Sequence, residues 1–273
     1  MPSRSNGYNK LVSTALIAGI DSAIGEIIAN SLINDAWQVM GTSRRDVTVR
    51  NNNSFFCDFS DSDSIDKCAS TIIQKSLKID LLVVAVGLLE PIGKYRDIDF
   101  EQWEKGFYVN CIGPLRLINK LLPCLRNQKN SMVLTFAGGG INSSPERYSS
   151  YTLSKVALTK SMELLSTEEP EIRFVSLGTG WINTPIHNQT VSAGELAGVV
   201  GPETNRRIQS NDFVDINEIS KFVAWAYKEA PHVISGRNFS LKNDRWSSSE
   251  LDEKLQKDSD MYKLRRYGND QKI

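Results

Sequence analysis

Short apolar runs alternate with longer segments whose apolar residues recur every three or four positions along most of the chain. The short runs predict β-strands over residues 14–18, 38–42, 54–57, 80–86, 132–136, 173–177 and 237–241. The longer segments predict helices over residues 23–32, 61–77, 102–126, 148–167 and 215–229, and Gly113–Pro114 allows a bend within the third. Because strands and helices alternate, we expect an α/β fold in which about seven parallel strands form a doubly wound sheet with helices on both faces.

The two ends of the chain differ from this alternating region. Residues 1–12 are mostly polar, and we expect a flexible N-terminus there. Residues 13–241 contain no internal repeat and no linker, which indicates a single domain. Residues 242–273 carry charges of both signs and few apolar side chains, so this segment is predicted to be a charged tail and not a second domain.

Composition and charge argue against several classes of protein. The 273 residues include 32 Lys and Arg and 32 Asp and Glu, so the net charge is zero and no nucleic-acid partner is expected. The only histidines, His187 and His232, lack the spacing of a zinc motif, and we expect no metal. The four cysteines form no CxxC pair, which is typical of reduced thiols in a cytoplasmic protein. No signal peptide is visible and no apolar stretch is long enough to cross a bilayer, so no membrane partner is expected.

A turn that contains glycines follows the first predicted strand, at residues 18–25. Glycines permit a sharp turn and let main-chain N–H groups approach a phosphate, and the N-terminus of the following helix favours an anion. The candidate pyrophosphate-binding residues are Gly19, Asp21, Ser22, Ile24 and Gly25. The alternative is a strand–helix turn that binds no ligand, and the turn alone does not decide between the two.

The end of the second predicted strand bears on which dinucleotide would bind. An acidic residue there would bind a ribose 2′-hydroxyl and repel a 2′-phosphate. This chain instead has Ser43 followed by Arg44 and Arg45, and guanidinium groups suit phosphate. The three residues therefore favour NADP(H) over NAD(H). The alternative is that the two arginines are solvated surface residues.

Tyr151 and Lys155 form a YxxxK motif at the start of a predicted helix. Their i, i+4 spacing puts the phenol and the ammonium on one face of that helix. A cation near the phenol is expected to lower the tyrosine pKa, which would let Tyr151 exchange a proton with a substrate oxygen. Taken alone, such a pair is also common on protein surfaces.

The glycine turn and the YxxxK motif together resemble those of the short-chain dehydrogenase/reductase family. The turn is similar to the family's TGxxxGxG, with Ala18 and Ala23 in place of the threonine and the middle glycine. The resemblance covers residues 13–241. It implies a Rossmann-like fold and an oxidoreductase that interconverts a carbonyl and an alcohol with a nicotinamide cofactor.

The same resemblance assigns roles to individual residues. Tyr151 would be the general acid/base, Lys155 would assist it and hold the nicotinamide ribose, and Asn110 would hold a water in a proton relay to the lysine. Family members are typically oligomeric, which implies a homodimer or homotetramer formed through the helices predicted at 102–126 and 148–167. The further residues that the resemblance places against the cofactor are Asp58, Phe59, Ala85, Gly87, Ile182 and Thr184.

Two positions depart from the family pattern. The substrate-orienting serine that normally lies 13 residues before the tyrosine is replaced by Gly138, and VAVG at residues 84–87 stands where the family has NNAG. The residues of this stretch that we expect to contact substrate are Gly138, Gly139, Asn142 and Ser143. These departures leave two alternatives open: a cofactor-binding sensor or scaffold with degenerate chemistry, and an epimerase or dehydratase that retains its cofactor.

Residues 185–211, after the sixth predicted strand, are expected to form a lid over the substrate. Most of the side chains in this segment are polar or charged, and His187 is a candidate substrate contact. This composition favours a small polar substrate of the sugar type. A solvated loop without contact to substrate explains the same composition.

Overall fold

Seven parallel strands form a single sheet at the centre of the molecule. The computed structural model describes residues 12–45, 53–75, 78–126, 128–228 and 231–266. The strands lie in the spatial order β3-β2-β1-β4-β5-β6-β7, which confirms the predicted α/β class and the Rossmann-like topology. They are β1 Thr14–Ala18, β2 Gln38–Ser43, β3 Ser54–Phe56, β4 Leu81–Val84, β5 Met132–Ala137, β6 Arg173–Gly178 and β7 Arg237–Ser240.

Helices pack against both faces of the sheet. Those of the described residues are α1 Ala23–Asn34, α2 Ser62–Gln74, α3 Phe100–Phe107, α4 Gly113–Arg126, α5 Ser149–Glu168, α6 His187–Ala193, α7 Val200–Ser210, α8 Asn217–Lys228, α9 Pro231–Ile234 and α10 Ser249–Lys257. Along β1, Ala15 and Ile17 join one core cluster with α1, α8 and α10, whereas Leu16 and Ala18 join another with α2, α4 and α5. Within the described ranges, no helix has the length and apolar character needed to cross a bilayer.

The helix predicted over residues 102–126 is interrupted. α3 ends at Phe107, a π-helical turn spans Tyr108–Ile112, and α4 begins at Gly113. Pro114 has no N–H group, so the main-chain carbonyl of Asn110, four residues earlier, has no donor at α-helical spacing. The interruption therefore places Asn110 where the regular helical hydrogen bonding is broken.

The described part of the predicted C-terminal tail, residues 242–266, packs against β7. Leu251 and Leu255 lie on one face of α10 and are buried in the core. Arg237 of β7 is 4% exposed and donates hydrogen bonds to the carbonyls of Leu255 and Asp258 at 2.8 and 3.1 Å. The described part of this segment is therefore packed against the domain, because two leucines one turn apart bury one face of a helix whose other face is charged.

The predicted flexible N-terminus is almost entirely outside the described residues. Of residues 1–12, only Val12 is described, and it is exposed without regular secondary structure. The flexibility of the segment remains a prediction.

Candidate active site

The glycine turn between β1 and α1 lies at the carboxyl edge of the sheet. Gly19 has a φ of +80°, and a Cβ there would lie 2.9 Å from the carbonyl oxygen of Ala85. A Cβ on Gly25 would lie 2.2 Å from the carbonyl oxygen of Gly19. The Oγ of Ser22 accepts a hydrogen bond from the Gly25 N–H at 3.0 Å and donates one to the Gly19 carbonyl at 2.7 Å. Only glycine fits at positions 19 and 25, and the turn leads directly into a capped helix N-terminus.

The end of β2 carries the residues that were predicted to select the cofactor. The Oγ of Ser43 donates to the Asp21 carboxylate at 2.9 Å, and the Nε of Arg45 lies 3.6 Å from the same carboxylate. Burial raises the pKa of Asp58, but hydrogen bonds from a nearby serine and the charge of Arg44 outweigh it and hold the pKa below its usual value. Arg45 therefore forms an ion pair with Asp21, and the charge of Arg44 acts on Asp58. The side chain of Arg45 is 84% exposed.

The remaining predicted cofactor contacts fall into two groups. The side chains of Phe59 and Ile182 are 4% exposed and belong to the core, and Ile24 packs against the core as well. These three side chains therefore contribute to packing. The other three residues, which are at least partly exposed, are Ala85, Gly87 and Thr184.

Tyr151 and Lys155 lie in the first two turns of α5. The Nζ of Lys155 is 5.9 Å from the centre of the Tyr151 ring and donates a hydrogen bond to the main-chain carbonyl of Val86 at 3.1 Å. Burial raises the pKa of Tyr151 to about 12 and lowers the pKa of Lys155 to about 8. The expectation that the lysine lowers the tyrosine pKa is thus not met in this structure, because the ammonium points to Val86 and desolvation dominates.

Asn110 is completely buried and braces the segment that follows β4. Its Oδ1 accepts from the N–H of Leu88 and its Nδ2 donates to the carbonyl of Leu88, both at 2.8 Å. Each end of the amide therefore makes one hydrogen bond to Leu88, which ties Asn110 to the segment after β4. Pro114 leaves the main-chain carbonyl of Asn110 without a donor at α-helical spacing.

Gly138 lies directly against the catalytic candidate. A Cβ at Gly138 would be 2.6 Å from the Cε1 of Tyr151 and 2.8 Å from its hydroxyl oxygen. The tyrosine thus occupies the space that the family's serine would need. A Cβ at Gly139 would meet open space, and the nearby Asn142 and Ser143 are exposed on the following loop.

The outer face of the lid is polar and internally paired. Glu203 lies 2.8 and 2.7 Å from the guanidinium groups of Arg206 and Arg207, and Asp212 lies 3.0 and 3.2 Å from the same two groups. Arg207 also packs over the ring of Trp181 at 4.8 Å. The charged residues that suggested a sugar-type substrate therefore bind one another and the base of the lid.

His187 anchors the start of the lid. Its Nε2 is 2.9 Å from the carbonyl oxygen of Ile182, and its ring stacks on Trp181 with 5.1 Å between ring centres. Burial lowers the pKa of this imidazole. His187 is thus a packing residue in this structure.

Nowhere in the described part of the chain do three His, Cys, Asp or Glu side chains group to bind a metal ion.

The inner face of the lid is apolar, which the composition did not reveal. Four lid residues belong to a cluster around Tyr151 that includes segments after β4 and β5. The only sequence signal was their spacing along the lid, close to one helical face. The members of this cluster, which we call the apolar cluster, are Leu89, Ile92, Tyr148, Tyr151, Ile186, Ala193, Ala197 and Val200.

Hydrogen bonds hold the lid against the loops after β4 and β5. The Oε1 of Gln189 accepts from the N–H groups of Leu89 and Glu90 at 2.8 and 3.3 Å. The hydroxyl of Tyr148 donates to the Oγ1 of Thr190 at 3.0 Å. The lid is therefore closed over Tyr151.

Comparisons with known proteins agree with this geometry. A family model described as enoyl-(acyl carrier protein) reductase matches residues 19–242. An uncharacterized oxidoreductase of Schizosaccharomyces pombe is 29% identical over 178 residues, which are 63% of this chain and 71% of that protein. A benzil reductase of Saccharomyces cerevisiae, described as (S)-benzoin forming, is 26% identical over 206 residues, which are 69% of this chain and 76% of that protein.

The fold is also similar to solved structures of dehydrogenases and reductases. An actinorhodin polyketide ketoreductase solved with NADPH has a TM-score of 0.73 at 19% identity, covering 85% of this chain and 98% of that one. With the family match and the site geometry, this places the chain in a known group of enzymes. The protein belongs to the short-chain dehydrogenase/reductase family and is an NAD(P)-dependent oxidoreductase.

Proposed function

We propose that the protein interconverts a carbonyl and an alcohol with NADP(H), and that Tyr151 is its general acid/base. The observation that carries the proposal is the pair of Tyr151 and Lys155 on α5, which lies against Val86 and Gly138 at the carboxyl edge of the sheet. A phenol there can give a proton to a carbonyl oxygen as it becomes an alkoxide, and accept one in the reverse direction. The relative that reduces benzil supports a carbonyl reaction.

The residues of the glycine turn fit a nicotinamide dinucleotide. The turn packs too tightly for side chains at Gly19 and Gly25, and its N–H groups precede a helix N-terminus that favours an anion. These residues would hold the pyrophosphate, and Ser43, Arg44 and Arg45 would hold the 2′-phosphate of NADP(H). The cofactor, when bound, supplies or accepts the hydride. The NADPH-bound polyketide ketoreductase with the same fold supports this choice.

Burial prepares the protein's own groups for proton transfer. With a pKa of about 12, the Tyr151 hydroxyl is protonated at neutral pH and can donate. With a pKa of about 8, the Lys155 Nζ gives up its proton more easily than an exposed lysine does, and it would restore the proton on Tyr151. The main-chain carbonyl of Asn110 would hold the water that joins this relay.

We further propose that the protein acts as a homodimer or homotetramer, as is typical of its family. Three apolar side chains near or on α4 and α5, the helices predicted to associate, are strongly exposed: Ile112 at 43%, Leu153 at 50% and Leu164 at 55%. Association through this face would remove them from water.

Replacing Tyr151 by phenylalanine tests the catalytic role. We expect Y151F to lower kcat for NADPH oxidation with a carbonyl substrate by about 10²–10⁴-fold, because the proton donor is removed and little else changes. Cofactor binding, followed by NADPH fluorescence, should be retained. The control is Y95F, since the side chain of Tyr95 is 64% exposed and does not belong to the apolar cluster. Full turnover in Y151F would contradict the proposal.

A cofactor-binding sensor or scaffold is the second candidate function, and the contact between Gly138 and Tyr151 favours it. In that case, NADPH would bind but no carbonyl compound would be reduced. An epimerase or dehydratase would convert substrate without net consumption of NADPH. Measuring NADPH binding, NADPH consumption and product formation in parallel separates the three functions.

A further inference from the structure

We infer that the substrate is a carbonyl compound with apolar groups, aryl or alkyl, on the carbonyl carbon, and not a sugar. This inference rests on the proposed function, since it concerns the surface that a substrate of Tyr151 would meet. It is carried by the apolar cluster, in which Leu89, Ile92, Tyr148 and Ala197 are at most 8% exposed.

Three separate segments supply this apolar surface. Leu89 and Ile92 follow β4 and Tyr148 precedes α5. The lid contributes four residues, one just before α6, one in α6, one in the turn after it and one in α7. A Cβ on Gly87 would lie 3.4 Å from the Cδ1 of Ile186, so the lid reaches the main chain after β4. Because Tyr151 packs against this cluster, we expect a substrate at its hydroxyl to meet apolar groups on several sides.

Several polar groups among these segments are already paired within the protein, and the Nε of Arg147 is buried without a partner. The hydroxyl of Tyr148 is bonded to Thr190, and the carboxamide oxygen of Gln189 is bonded to the main chain of Leu89 and Glu90. The guanidinium of Arg147 donates to the lid carbonyls of Glu195 and Leu196. A polyhydroxylated substrate would find few partners here, and each buried hydroxyl left without one lowers affinity.

The charged side chains of the lid do not alter this conclusion. Glu203, Arg206, Arg207 and Asp212 form one network of ion pairs, and Arg207 packs on Trp181. Each of these charges therefore has a partner within the network, and Asp212 lies just outside the lid segment 185–211. The charged residues of the lid therefore belong to its outer face. The apolar residues of its inner face select the substrate.

A substrate panel on the wild-type protein tests the inference without any substitution. The panel pairs aryl and alkyl ketones, aldehydes and 1,2-diketones with aldoses and other hydroxylated carbonyl compounds of similar size. We expect kcat/KM with NADPH to rise about tenfold or more with each added apolar group that the cluster can enclose. A higher kcat/KM for the hydroxylated compounds would overturn the inference.

Substitution of one lid residue locates the effect. Val200 packs in the apolar cluster, whereas its neighbour Val199 is 71% exposed, so V200N and V199N are a matched pair. We expect V200N to lower kcat/KM for apolar substrates about tenfold or more with unchanged NADPH affinity, and V199N to change it less than about twofold. Equal losses in the two variants would overturn the assignment. I186N provides a second test should V200N not fold.

Failure of this inference can be distinguished from failure of the proposed function. Reduction of hydroxylated compounds in preference to apolar ones, with turnover lost in Y151F, would overturn the substrate class and leave the proposed function standing. No reduction of either class, or turnover unaffected in Y151F, would overturn the proposed function and this inference with it.

Discussion

At the scale of single residues, Gly138 and Tyr151 lie directly against each other in the candidate active site. In the family pattern a serine at that position orients the substrate. Here the tyrosine ring fills the space beside Gly138, with its hydroxyl oxygen 2.8 Å from the place of a Cβ. In this structure, the position of the tyrosine therefore requires a glycine at position 138. The glycine has a structural role of its own, beyond the absence of the serine hydroxyl.

Restoring the serine should consequently harm the enzyme. We expect G138S to lower kcat by about 10- to 100-fold, because a displaced Tyr151 no longer meets the substrate oxygen correctly. The matched control is G139S, since a Cβ at Gly139 meets no atom within 4 Å. Steady-state kinetics with saturating NADPH would measure both. A higher kcat in G138S than in the wild type would contradict this prediction. It would show that the tyrosine ring moves aside and that a serine at position 138 can orient the substrate.

Sequence reasoning at this scale succeeds where the constraint is local. Gly19 and Gly25 were identified from the motif, and the structure shows why no side chain fits there. The pairing of Asn110 with Leu88 spans 22 residues of sequence, and the contact of Gly138 with Tyr151 joins a strand end to a helix. Such contacts depend on how elements pack, so neither the motif nor the spacing predicts them.

At the scale of elements, the strands were predicted well and the lid poorly. The strands are buried in a parallel sheet, and their continuous apolar runs are hard to mistake. The lid contains two short helices, α6 and α7, whose mean composition is polar. The segment 102–126 was predicted as a long helix with a bend at Gly113–Pro114. The structure places the irregular turn just before that point, over Tyr108–Ile112, where the apolar spacing continues.

The hydrogen bonds of Gln189 are expected to hold the lid closed as a unit. Q189A leaves the N–H groups of Leu89 and Glu90 without this acceptor, which should destabilise the closed lid by about 1–2 kcal/mol. If the closed lid binds substrate, KM rises about 5- to 30-fold while kcat changes less. N188A is the control, because Asn188 is exposed and its side chain bonds to no residue that the structure describes. An unchanged KM in Q189A would exclude a holding role for this residue.

At the scale of the whole molecule, the C-terminal segment completes the domain at the β7 edge of the sheet. The N–H of Asn238 donates to the carbonyl of Tyr262 at 2.8 Å, and Trp246 packs against Phe222 and Trp225 of the core. The many charges of this segment led to the prediction of a charged tail. The overall composition of a helix does not show that its few apolar residues lie on one face. The zero net charge of the chain is likewise an average, which conceals the ion pair of Arg45 with Asp21 and the effect of the Arg44 charge on Asp58.

Truncating a core residue of α10 tests whether this segment belongs to the folded domain. Leu255 is 2% exposed, and L255A should lower the free energy of unfolding by about 2–4 kcal/mol, measured by urea denaturation. The adjacent Gln256 is exposed, so Q256A should change it by less than about 0.5 kcal/mol. Because α10 packs at the β7 edge and contributes nothing to the cluster around Tyr151, kcat should be unchanged in both variants at temperatures where they are folded. Equal stability of L255A and Q256A would mean that the segment is a free tail after all.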